Sequence, residues 1–121
     1  MADLRVLALT DSFHSEWAGL ASAHGFSLVH AAEPAALEPR RGTVTLISAA
    51  GDEGLLEGAL RQMPHDVRFV AAIGAAPDHR LAAAVVRAGA DDYFALPEDL
   101  PQLTSWLRDA AARLKADSDA S

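Results

Sequence analysis

The sequence predicts a single α/β domain in which a parallel sheet is wound on both faces by helices. Three observations predict it. Five short apolar runs recur along the 121 residues. Each is followed by a helix or a helix-compatible stretch, at intervals of about 20 to 25 residues, and parallel strands need such crossovers because tight turns cannot join them. Half of the residues are apolar and 22% are charged, an ordinary globular balance in a chain of common single-domain size.

Taken in order, Arg5 to Leu9 is aliphatic and leads straight into Thr10-Asp11-Ser12, side chains able to cap a helix. Phe13, Trp17, Leu20, Ala21 and His24 then share one helical face, and Gly25 stands where the chain turns into left-handed geometry. Phe26 to His30 is the second strand. Glu33-Pro34 and Glu38-Pro39 limit the next stretch to one or two helical turns. Thr43 to Ser48, β-branched and aliphatic, reads as the central strand and ends at Ala49-Ala50-Gly51. Leu55, Leu56, Ala59, Leu60 and Met63 mark a helix that Pro64 stops.

Arg68 to Ile73 supplies the fourth strand, and Asp78 caps a helix through Leu81, Ala82, Val85 and Ala88 to Gly89. Asp92 to Leu96 is the fifth strand. Asp99-Leu100-Pro101-Gln102 reads as a capping box opening a helix that carries Leu103, Trp106, Leu107, Ala110 and Leu114. The domain spans residues 1–116, and 117–121 reads as a polar tail or the start of a linker to an output domain.

Composition narrows the function. Ten Lys and Arg against 17 Asp and Glu give a net charge of −7, which sets the chain's field against phosphate backbones and anionic lipid. No nucleic-acid or membrane partner is expected, and no apolar run approaches the roughly 20 residues of a spanning helix. The absence of Cys removes disulfides, thiolate nucleophiles and Cys-type zinc sites and points to the cytoplasm. The phosphate-cradling, dinucleotide-binding and nucleophile-elbow motifs are all missing.

In sheets of this type, sites form beyond the carboxyl ends of the strands. Those ends offer Thr10 and Asp11, then His30, Ser48, Gly74, and Leu96 before Pro97. One carboxylate and two hydroxyls make a poor catalytic set, so no catalytic residue, metal or cofactor is assigned. Asp52 and Glu53 read as the acidic start of the third helix, suited to its positive dipole end, rather than as metal ligands. Five His at 14, 24, 30, 65 and 79 include no pair four residues apart and share no ion along a helix. Trp17 and Trp106 read as large core residues at helical spacing, with Trp106 a candidate interface anchor.

The stretch Ala88-Gly89-Ala90-Asp91-Asp92-Tyr93-Phe94-Ala95-Leu96-Pro97, with the acidic helix start after it, resembles the segment around the fifth strand of response-regulator receiver domains. The resemblance extends over nearly the whole chain. It implies a flavodoxin-like (βα)5 sandwich with a five-stranded parallel sheet in the order 2-1-3-4-5. It also implies a place for a Mg²⁺-assisted aspartyl phosphorylation, and there this chain departs from the family. Thr10 and Asp11 stand at the acidic pair, Ser48 at the phosphoacceptor, Gly74 (with a slip to Ile73 open) at the hydroxyl position, and Leu96 in place of the Lys. A hydroxyl replaces both a charged metal ligand and the acyl-phosphate acceptor, and Leu96 cannot pair with a phosphate. Tyr93 occupies the position of the family's switch aromatic, with plain packing on the neighbouring helix as the equal alternative.

The expectation is therefore a degenerate receiver, a phosphorylation-independent regulatory module of a bacterial signalling or transcription regulator. It would bind a protein partner, its own output domain or a second copy as a homodimer. The resemblance places the contact surface on the last two helices and the strand between them, with Val85, Val86, Tyr93 and Trp106 as interface residues. Val85 and Val86 are adjacent, so both cannot face the sheet. Two alternatives stay open: a receiver phosphorylated on a displaced Asp11 or Asp52, and a small-molecule module using the emptied strand-end pocket.

Overall fold

Among the described residues, five parallel strands and four α-helices form one sheet with an α-helix after every strand but the second, and the strands lie in the order second, first, third, fourth, fifth. The computed structural model describes residues 2–10, 14–31, 33–34, 37, 42–64, 66–96 and 98–120, with backbone alone at 14, 15 and 117–120. The elements are β1 (Asp3–Ala8), α1 (His14–Ala23), β2 (Ser27–Ala31), β3 (Thr43–Ser48), α2 (Gly54–Gln62), β4 (Val70–Gly74), α3 (His79–Ala88), β5 (Asp92–Ala95) and α4 (Leu100–Ala120). Among the described residues the crossover from β2 to β3 carries no α-helix. It shows a short turn at Pro34 and one fully buried side chain, Leu37.

Side chains alternate across the sheet and so build two cores. Leu4 and Val6 of β1, Val44 and Leu46 of β3, Ala71 and Ile73 of β4 and Phe94 of β5 pack with Trp17 and Ala21 of α1 and with Leu103, Leu107 and Ala110 of α4. Leu7, Ile47, Val70, Ala72, Tyr93 and Ala95 face the other way, onto α2 and Val85 of α3. Every residue of β3 is buried, as a central strand covered on both faces requires. β2, at the sheet's edge, keeps Ser27 and His30 exposed.

Local chemistry sets three of the helix ends. Asp78 accepts hydrogen bonds from the amides of Arg80 (2.9 Å) and Leu81 (3.4 Å), the N-cap the sequence predicts. Gly25 and Gly89 close α1 and α3 at φ of +73° and +131°, backbone that an L side chain rarely adopts.

Three expectations need correction. The fourth strand starts at Val70 rather than Arg68, because Phe69 sits at a φ of +57° and breaks the extended backbone before the sheet is joined. The expected capping box at Asp99 does not form in that pattern: the Asp99 carboxylate accepts from the Ala95 amide (2.9 Å) and the Asp99 amide donates to the Ala95 carbonyl (2.8 Å). Asp99 thus closes the turn after β5 instead of pairing with Gln102. Finally, α4 continues through the polar tail to Ala120.

Candidate functional site at the carboxyl edge of the sheet

Main-chain bonds continue past the strands and bring the expected site residues to one edge. The Leu9 amide donates to the Ser48 carbonyl (2.7 Å), the Ala49 amide to the Ile73 carbonyl (2.9 Å) and the Leu96 amide to the Gly74 carbonyl (2.8 Å). Thr10, Ser48, Gly74 and Leu96 therefore follow or end successive strands at the same rim. Asp11 and Pro97 lie outside the described residues.

None of the four is presented as a reactive group would be. The Thr10 hydroxyl donates to the Ala50 carbonyl (3.0 Å) and pins the loop after β3. Ser48 is fully buried, and its Oγ has no hydrogen-bond partner among the described residues. Leu96 belongs to the core beneath α1 and α4, beside Phe94, Leu103 and Leu107. Gly74 is buried at the end of β4, and the space a side chain would need there is already filled. A Cβ on Gly74 would collide with the Tyr93 hydroxyl and would lie 2.7 Å from Glu53 Cγ and 3.1 Å from Tyr93 Cε1.

Tyr93, expected as the switch aromatic, and Glu53, not expected at this edge, complete the arrangement. The Tyr93 hydroxyl donates to the Ala76 carbonyl (2.7 Å), and Glu53 leans over Gly74. Burial first, and then the nearby Glu53 carboxylate, which disfavours a second negative charge, push the Tyr93 phenol up to about 12. Glu53 stands at the start of α2, as the sequence predicts. It holds the N-cap position of α2 but makes no side-chain cap, and its Oε2 instead accepts from the Gly51 amide (3.1 Å). Asp52 stays exposed in the loop. Nothing in the Gly-Asp-Glu-Gly string marks Glu53 for this place, since only tertiary packing brings it against β4.

The described donors do not fit a hard divalent cation, which takes several carboxylate and water oxygens. Thr10 is committed to a carbonyl, Leu96 offers no donor, and among the described residues no three His, Asp or Glu side chains converge.

The expected interface residues separate by burial. Val85 is fully buried and Tyr93 is 8% exposed, so neither lies open on the surface: Val85 faces the sheet and Tyr93 turns its hydroxyl inward. Val86 is 46% exposed. Trp106 is half-buried, its ring 6.1 Å from that of Phe94 and tilted by 59°. It lines an open groove of about 420 Å³ with Asp92, Phe94, Pro101, Gln102, Ser105 and Asp109.

This topology is that of response-regulator receiver domains, and solved structures agree. A response regulator from Thermotoga maritima superposes with a TM-score of 0.62 at 19% identity, covering 93% of this chain and 99% of that one. The CheY-like protein tadZ from Pseudomonas aeruginosa PAO1 gives 0.59 at 23% identity, covering 89% and 94%. A protein named for pilus assembly, CpaE2 of Sinorhizobium meliloti, gives 0.61 at 14% identity, covering 88% and 97%. No protein-family model matches the sequence, and no curated protein matches it. The chain has the receiver fold.

Proposed function

We propose that this chain is a receiver-like regulatory module that acts by binding protein, without phosphorylation of its own. The observation that carries the reading is Ser48. It ends β3, where the resemblance puts the phosphoacceptor, and it is a fully buried hydroxyl in place of a carboxylate. A phosphoryl group there would need a cation and a compensating positive side chain, and the neighbouring ends supply a committed Thr10 and an apolar Leu96 instead. The partner is a protein: an output domain of the same regulator or a second copy of the chain.

Amide NMR spectra recorded with Mg²⁺, then with Mg²⁺ and beryllofluoride, test this. Spectra unchanged at the strand ends support the reading. A Mg²⁺-dependent shift centred on Asp11 or Asp52 favours the displaced-acceptor alternative and overturns it.

Two features support a homodimer through α3, β5 and α4: the exposed Val86, and the groove in which Trp106 and Phe94 are flanked by Asp92 and Asp109. A second reading of the output rests on the likeness to CpaE2, a protein named for pilus assembly, in place of a transcription regulator. Sequencing the gene beyond Ser121 separates these two outputs.

A further inference from the structure

We propose that Tyr93 is a built-in plug of the strand-end site, seated there by the missing side chain at Gly74, so that the chain itself holds this end of the sheet in one arrangement. The inference concerns the conformation of the site and stands apart from what the module binds.

The space carries it first. A Cβ at residue 74 would overlap the Tyr93 hydroxyl and press on Cε1 and on Glu53 Cγ, so any larger residue there would expel the ring. Gly74 is not needed for its backbone, since it ends a regular strand and pairs with Ala95. Its value lies in the missing atom. The second observation is the bond: the Tyr93 hydroxyl donates to the Ala76 carbonyl in the loop leading to α3, joining β5 to that loop across the emptied position. The third is burial. With only 8% of its surface exposed, Tyr93 is part of the core shared with α2 and α3 rather than of the outer face. An aromatic ring leaving this seat would break the bond to Ala76 and open a hole beside Gly74 and Glu53.

The test uses the only Tyr of the chain, so that tyrosinate absorbance reads Tyr93 alone. Glu53, Asp78 and Asp99 are the charged groups that act on it. At about pH 11 an ordinary phenol is roughly nine-tenths ionised. The wild-type chain, checked to be folded by circular dichroism, is expected to be mostly protonated there, and Gly74→Ala should raise the ionised fraction several-fold. A wild-type phenol that titrates in the ordinary range overturns the proposal, as does a folded Gly74→Ala chain that titrates like wild type. Should Gly74→Ala or alkaline pH unfold the chain, nuclear Overhauser contacts in the wild type at neutral pH decide. Cross-peaks between the Tyr93 ring and the Gly74 α-protons support the plug, and their absence overturns it. Neither outcome depends on Mg²⁺ binding or on dimerisation.

Discussion

Ser48 is a fully buried hydroxyl with no partner among the described residues, and such a group opposes folding by about 1 to 3 kcal/mol. Ser48→Ala should therefore leave stability unchanged or raise it by about 1 kcal/mol in urea unfolding, and a clear loss would mean that the hydroxyl is bonded. Tyr93 makes an opposite prediction at high pH. Its folded pKa, about 12, lies above the ordinary phenol value of 10.0, so between those values the folded chain holds a proton that the unfolded chain has released. The contribution is complete below about pH 10 and is lost as pH rises toward 12, on the order of 2 kcal/mol. Tyr93→Phe should abolish that slope, while losing about 1 kcal/mol at neutral pH with the Ala76 bond.

Within the elements, α2 and α3 show which parts of the sequence spoke plainly. Asp78 and Gly89 bound α3 as expected because a cap and a positive φ are local facts that reside in single residues. Asp78→Ala should lower stability by about 1 kcal/mol as the Arg80 and Leu81 amides lose their acceptor, measurable by thermal melting. In α2, Gly58 is exposed with open space beside it, so Gly58→Ala should stabilise by about 1 kcal/mol; destabilisation would mean that another chain packs on that face.

What the sequence concealed was tertiary. Asp99 has the spacing of a capping box, yet its carboxylate turns back to Ala95, and the Glu53 side chain reaches from the start of α2 over Gly74. Ser48, Gly74 and Leu96 were readable as residues without the chemistry that the resemblance would place there. That Tyr93 occupies the resulting space depends on a collision between residues 19 positions apart, which no pattern of periodicity encodes. Val85 and Val86 fell between these cases: adjacency required one to face outward, and packing on the sheet selected Val86.

At the scale of the whole molecule, the two-sided core and short parallel strands were legible in the alternation of apolar runs and crossovers, whereas the strand order was legible only through the receiver resemblance. The surface between α3 and α4 combines an exposed Val86 with an acidic, aromatic groove around Trp106. If this face joins two copies, Val86→Glu should shift sedimentation toward monomer without lowering the melting temperature. An unchanged profile would remove the face from consideration.

The proposed function requires that this edge of the sheet accept no phosphoryl group. Intact-mass analysis after incubation of the chain with acetyl phosphate and Mg²⁺ tests that most directly. The predicted result is the unmodified mass. A Mg²⁺-dependent increase equal to one phosphoryl group, lost on mild base treatment as an acyl phosphate would be, would contradict the account.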